Sequence, residues 1–235
     1  MTRRRWIADR VKGDHAYLLG QNAAHLFRVL RGQPGEEFEV AADGVLRLGT
    51  IISASLHEVE FHLGEEVRSA VLPEISVTIA IFKFDRLEWA MEKLTELGVT
   101  RIIPVIAERT SQHLAKAAAS RVERWRKLVH EAAQQSRRIA APEVASPIAL
   151  SKSIKDVEGC RIVLSESEQS VSLKAALKGC VPPLALALGP EGGWTEEEAQ
   201  LFRDAGWKSA SLGHTILRAE TAAIAAAAVC FSELA

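Results

Sequence analysis

The sequence is short of several features that would each have pointed to a class of protein. Its net charge is −1 and its 235 residues include only three cysteines. No stretch approaches the roughly 20 consecutive apolar residues that cross a bilayer. Cys160, Cys180 and Cys230 are odd in number and widely spaced, with no CxxC pair, so neither a disulfide framework nor a zinc or other metal site is expected. The start, Met1-Thr-Arg-Arg-Arg-Trp6, is basic like the head of a signal peptide, but Asp9, Arg10, Lys12 and Asp14 follow where an apolar stretch should stand. The expectation is a soluble protein with no membrane association and no export signal, in a reducing cytoplasm. Neither G-x-G-x-x-G nor the P-loop spacing occurs, which counts against a Rossmann-type cofactor fold and against nucleotide phosphate binding. Internal repeats and low-complexity tracts are also missing.

The near-zero net charge hides an uneven distribution. Residues 1–31 carry seven basic groups (Arg3, Arg4, Arg5, Arg10, Lys12, Arg28, Arg31) against Asp9 and Asp14. Residues 116–138 carry seven more (Lys116, Arg121, Arg124, Arg126, Lys127, Arg137, Arg138) against Glu123 and Glu131. Each block is +5, which leaves −11 for the rest. Two readings stay open: a positive face for phosphate, or solvated helix and terminus surfaces.

The first ~70 residues read as β-rich. Glu37–Ala41, Val45–Ser53 and Glu58–Leu63 are short apolar runs set off by Gln33-Pro-Gly35, Asp43-Gly44 and Gly64, and one helix over about 22–30 precedes them. Asp43-Gly44 is a hairpin turn, because both of its positions favour positive φ. The charged stretch 64–73 places a domain boundary near residue 70. Beyond it strands and helices alternate, the signature of βαβ units on a parallel sheet. Ile75–Phe82 suits a strand buried on both faces. Leu87, Ala90, Met91, Leu94 and Leu97 follow at helical spacing, with Gly98 where the helix should end. Further strands are expected at Arg101–Ile106, Arg161–Leu164, Leu184–Leu188 and Ser209–Leu212, with a long basic helix over 118–138 and an alanine-rich one over 222–229.

Two segments carry candidate chemistry. Leu184–Leu188 runs into Gly189-Pro190-Glu191-Gly192-Gly193-Trp194, and Thr195 with Glu198 then forms a capping box. This is either an ordinary tight connection or a ligand loop at the carboxyl end of a strand, where open α/β sheets bind ligands. The second segment, Gly213-His-Thr-Ile216-Leu217-Arg218-Ala-Glu220-Thr221, leads into the alanine-rich helix. Arg218 stands at a helix start, where a cation is disfavoured, so an acidic partner is expected to meet it.

Leu188-Gly-Pro-Glu-Gly-Gly193 and Ser211-Leu-Gly-x-x-Ile216-Leu-Arg-x-Glu-Thr221 together resemble the two cofactor-loop motifs of the ribosomal RNA small subunit methyltransferase E family, a branch of the SPOUT superfamily. The likeness extends through His25–Arg31, Glu92–Gly98, Glu108-Arg-Thr110 and Glu131–Ser136. It implies an α/β protein of two parts: a small PUA-like β-barrel for RNA binding over 1–70 and a SPOUT domain with a C-terminal deep trefoil knot over 71–235, working as a homodimer. It implies transfer of a methyl group from S-adenosyl-L-methionine to N3 of one uracil, position 1498, in 16S rRNA within an assembled 30S subunit.

By the same resemblance the adenosyl group lies against Leu188, Gly189, Gly193, Leu212, Gly213, Ile216 and Leu217. Arg218 is then the candidate to stabilise the uracil oxygens, and Glu191 the candidate to accept the N3 proton or orient Arg218. Arg3, Arg5, Arg28, Arg31, Arg124, Lys127 and Arg138 are the candidate RNA contacts, Arg5 holding a phosphate or reaching the target. Two departures from the family pattern stand out: His214-Thr215 where Pro-Arg is common, and Arg137 where Gly is common. A SPOUT enzyme acting on transfer RNA and a non-catalytic RNA-binding ribosome-assembly factor are the alternatives. If the basic blocks contact phosphate, RNA affinity falls by about 0.9 log units per contact for each tenfold rise in salt; a flat filter-binding titration would make them mere surface.

Overall fold

The computed structural model describes residues 5–155 and 157–234; Arg3 falls outside them. Two units emerge. One runs to residue 71 and takes in 133–141, and the other holds 72–132 and 142 onward. A single cut at residue 70 leaves 133–141 with the second domain, whereas the fold gives that segment to the first unit.

The first unit is a six-stranded sheet with a helix. In chain order it has β1 (Arg5–Ile7), β2 (Arg10–Lys12), β3 (His15–Leu19), α1 (Gly20–Ala24) continuing as a π-helical turn over His25–Val29, β4 (Glu37–Ala42), β5 (Val45–Ala54) and β6 (Glu58–Glu66). The strand order is β1-β4-β5-β6-β3-β2. β1 and β2 lie at opposite ends of that order, yet only Ala8 and Asp9 separate them along the chain. Neighbouring strands are about 4.8 Å apart, so a flat sheet could not be bridged by two residues, and the sheet must curl until its edges meet. The Ala8 N–H accordingly donates to Ala41 on one side and the Asp9 N–H to Tyr17 on the other. Gly49 assists the curl: it sits at a register shift between β5 and β6, and a Cβ there would stand 2.6 Å from the Val40 side chain. Trp6, Leu18, Leu26, Val40, Ile51 and Phe61 fill the interior. The Asp43-Gly44 turn is as expected, with φ of 49° and 78° between paired Ala42 and Val45.

The second unit is parallel α/β. Its elements are β7 (Ile75–Ala80), α2 (Phe84–Leu97), β8 (Arg101–Ile106), α3 (Gln112–Ala118), α4 (Val122–Gln135), β9 (Glu143–Val144), β10 (Ile148–Ala149), α5 (Leu150–Ser153), β11 (Cys160–Leu164), α6 (Leu173–Ala176), β12 (Leu184–Leu188), α7 (Glu196–Asp204), β13 (Lys208–Ala210) and α8 (Ala219–Leu234). The last turn of α4 passes into the first unit. The order is β10-β8-β7-β12-β11-β13 with β9 also on β8, and every pairing is parallel. Gly98 ends α2 at φ 116°, as its position suggests. The expected basic helix over 118–138 is α4, entered through a 3-10 turn over Ala119–Arg121; α3, just before it, was not expected. No described helix is long and apolar enough to cross a membrane.

One expectation is corrected here. Cys160 opens β11, and Cys180 precedes the Val181-Pro182-Pro183 lead into β12. Because the two strands pair in parallel with Cys160 opposite Leu184, the cysteines come to a Cα separation of 5.8 Å and are joined as a disulfide. Spacing along the chain could not reveal this. Cys230 is buried on α8, and burial pushes its thiol up to about 12, so it carries no thiolate at neutral pH.

The end of α4 gives a physical reason why glycine would suit position 137. The Arg138 N–H reaches back to the Ala133 carbonyl and the Arg137 N–H to that of Gln134, a Schellman motif whose pivot residue must be left-handed. Arg137 occupies that pivot at φ 58°. A non-glycine residue there costs roughly 1–2 kcal/mol, while glycine loses about 0.4–1 kcal/mol through its freer unfolded chain. The first effect wins, so Arg137→Gly is expected to raise the denaturation midpoint by the equivalent of about 0.5–1 kcal/mol; a lower midpoint would show that the arginine side chain contributes more than its strain costs.

Candidate functional site

Three consecutive strands of the second unit, β11, β12 and β13, end side by side, and the loops they emit meet. All five residues of β12 are buried. The loop after it folds back through a Gly193 N–H to Pro190 carbonyl hydrogen bond of 2.9 Å, with Gly193 at φ 69°. Trp194 lies beneath it: its Nε1 donates to the Leu164 carbonyl at the end of β11 (3.1 Å), and its ring packs edge-on against Phe202 of α7. Gly189 is close enough to that indole that a Cβ would sit 3.3 Å from it.

The loop after β8 staples the arrangement from the other side. Arg109 donates to the carbonyls of Gly192 and Trp194. The Glu108 N–H donates to Glu198 Oε1 (2.8 Å), and Thr195 Oγ1 donates to Glu108 Oε2 (2.9 Å). The Thr195–Glu198 capping box is present, with both reciprocal bonds made. Glu198 is thus a buried carboxylate whose oxygens serve the backbone of two different loops.

The second loop leaves β13 through Ser211, whose N–H donates to the Val171 carbonyl. Gly213 follows at φ 130°, and a Cβ there would meet nothing within 4 Å. Arg218 ends the loop, its carbonyl accepting from the Ala222 N–H in the first turn of α8. Between the loops lies a cavity of about 540 Å³, within the usual range for small-molecule sites. Leu188, Gly189 and Gly193 line it from the first loop, and Leu212, Gly213, Ile216 and Leu217 from the second. Glu191 and Arg218 are also on its wall. All nine candidate cofactor and catalytic residues are therefore brought to one cavity.

Their pairing differs from expectation. Arg218 is exposed and makes no ion pair among the described residues. Glu191 is paired with Arg86, whose Nη1 lies 2.9 Å from Oε1, and Arg86 Nε stands 3.8 Å from Glu220. Arg86, Ser165 and Glu166 also line the cavity and were not anticipated. A signal for Arg86 did exist: it is a cation in the first turn of a helix, as Arg218 is one immediately before a helix. Nothing local marked Ser165 or Glu166.

The candidate RNA contacts are scattered in their engagement. Arg5 is turned inward, its side chain 17% exposed, with Nε 3.0 Å from Glu39 and Nη1 on the Arg137 carbonyl. Arg28 and Arg31 are exposed. Arg124 grips Glu88 through two nitrogens, and Lys127 stands 3.8 Å from Glu131. Arg138 is half-buried, and burial pushes its guanidinium down to about 10, which leaves it charged at neutral pH. Among the described residues no group of three or more His, Cys, Asp or Glu is placed to hold a metal ion.

The RNA methyltransferase domain family matches residues 70–230. A ribosomal RNA small subunit methyltransferase E from Aquifex aeolicus is 30% identical over 220 residues, 88% of this chain and 90% of that protein. The chain belongs to this methyltransferase family. The Synechocystis member is 35% identical over 209 residues, 84% of this chain, which spans 66% of that longer protein. A crystal structure of the Neisseria gonorrhoeae member bound to S-adenosyl methionine superposes with a TM-score of 0.85 at 27% identity, covering 99% of this chain and 98% of that one. The resemblance read from the two loop motifs is thereby borne out. Glu198→Ala removes the carboxylate half of the capping box and orphans the Thr195 and Glu108 N–H groups, and should cost about 2 kcal/mol in denaturant unfolding. Arg203→Ala on the exposed side of the same helix should leave the midpoint unmoved.

Proposed function

We propose that the chain transfers a methyl group from S-adenosyl-L-methionine to N3 of a uridine in 16S ribosomal RNA, at the position equivalent to uracil 1498. The observation that carries this reading is the cavity at the carboxyl ends of β11, β12 and β13. Gly193 and Gly213 leave space on its walls where side chains would otherwise stand, and Arg218, in no ion pair among the described residues, lies on its wall. The residues present fit the methyl donor. Gly189, Gly193 and Gly213 let a flat ring approach backbone, while Leu188, Leu212, Ile216 and Leu217 offer it apolar contact. When bound, the donor supplies an electrophilic methyl group on a sulfonium.

The protein's own part is to position the base and stabilise charge. Uracil N3 must lose its proton before or as it attacks, which leaves negative charge on the ring oxygens. Arg218, free of any other ion pair among the described residues, is placed to receive that charge. Glu191 has one oxygen on Arg86 and is the carboxylate proposed to take the N3 proton on the other. The orienting role toward Arg218 finds no support in the contacts, since Glu191 is engaged by Arg86 instead.

The same proposal takes the first unit as the PUA-like RNA-binding domain, supported by its curled six-stranded sheet. It takes the second as the knotted catalytic domain of a cytoplasmic homodimer acting on the 30S particle, supported by family membership. The deciding experiment incubates purified protein, S-adenosyl-L-methionine and small subunits from cells lacking this modification, then maps methylation by reverse-transcription stops. One new stop is expected. Arg218→Ala should lower turnover by about 100-fold while cofactor affinity holds. A stop on transfer RNA instead would change the substrate, and no cofactor binding at all would leave an RNA-binding protein.

A further inference from the structure

We propose that Arg86 is a positioning residue of the methyl-transfer site: a single guanidinium that holds the loop after β12, through Glu191, to the first turn of α8, through Glu220. The proposal rests on the reading that this cavity binds the methyl donor. Arg86 is the third residue of α2, where the helix's positive end disfavours a cation. Its place there therefore needs compensation, and two carboxylates supply it. They come from different segments: Glu191 lies in the loop after β12, and Glu220 in the first turn of α8, just after the β13 loop that carries Gly213 and Arg218.

The two acids are not equivalent. The Glu220 side chain is 7% exposed, and its Oε2 is buried with no hydrogen-bond partner among the described residues. A carboxylate so placed depends on a nearby cation; its one ion pair among the described residues is with Arg86, 3.8 Å away. Glu191 is 45% exposed and bonded more closely, at 2.9 Å. Glu220 thus anchors the guanidinium in the body of the unit, and the guanidinium in turn fixes the exposed Glu191 and the Gly-rich loop that bears it. Arginine suits this because its planar fork hydrogen-bonds Glu191 through Nη1 while Nε faces Glu220 at ion-pair distance, whereas an ammonium is one point charge. α2 packs directly on α8, which brings Arg86 to the first turn of α8.

Hydrogen exchange on the uncomplexed protein tests this without relying on activity. The amides to follow are Gly193, bonded to the Pro190 carbonyl, and Ala222, bonded to that of Arg218. In Arg86→Ala both should exchange about tenfold faster or more, with the core of the sheet unaffected. Because removing Arg86 strands Glu220, the double variant Arg86→Ala/Glu220→Gln guards against simple unfolding; it should regain the wild-type melting temperature yet keep the fast Gly193 amide. Arg86→Lys should restore melting but not the protection of Gly193. In single-turnover assays the Arg86 variants should lose about tenfold or more in the methyl-transfer rate with RNA affinity unchanged. Unchanged exchange at both amides, or full rescue by lysine, would overturn the proposal. If the wild-type protein neither binds the donor nor methylates RNA, the functional reading fails, while the exchange data still decide whether Arg86 holds the two loops.

Discussion

The cavity exists because β12 is inserted between β7 and β11 and not added at an edge. A strand covered on both faces has no polar side chain to spare, and its five residues alternate leucine and alanine. Whatever functional groups it delivers must come from the loop at its carboxyl end. Insertion also puts that end beside those of β11 and β13, so three successive loops share one rim. The remaining braces serve the same purpose: Trp194 ties the β12 loop to the end of β11, Arg109 and Glu108 tie it to the loop after β8, and the capping box starts α7 in the right direction. Apart from the Thr195–Glu108 side-chain pair, each is a hydrogen bond that engages backbone, which holds a loop in place.

Much of this was legible in the chain. The buried strands 75–80 and 184–188, the Asp43-Gly44 hairpin, the Gly98 stop and the Thr195 capping box each depend on neighbours in sequence, and each appears where local chemistry puts it. What escaped is non-local. β1 and β2 are three residues each, too short for any alternation to show. The Cys160–Cys180 bond depends on the parallel register of two strands. The partner of Glu191 lies on a helix more than a hundred residues earlier. Counting charge along the chain also overstates the field of the basic helix, because Arg121 and Arg124 both turn toward Glu88 of α2.

The two places read from the sequence as departures separate in the same way. Arg137 has a readable physical meaning, since its backbone must be left-handed and arginine is an unfavourable occupant; its carbonyl nevertheless accepts from Arg5, a bond that any residue at 137 could provide. His214 and Thr215 are exposed on the cavity wall. Their backbone is constrained by Gly213 before them and by α8 after, so the loop path does not depend on which side chains stand there.

The first unit is not a continuous stretch of chain. Its Arg5 guanidinium, at the very start of β1, donates to Glu39 of β4 and also to the carbonyl of residue 137, and segment 133–141 belongs to the unit although it is made after most of α4. A growing polypeptide folds from its amino end, but here the amino-terminal unit must wait for more than half the protein to be synthesised before it is whole. The two units therefore do not behave as cassettes that recombination could exchange by one crossover near residue 70. Such a graft would bring the curled sheet without the remote segment 133–141 that packs in its unit.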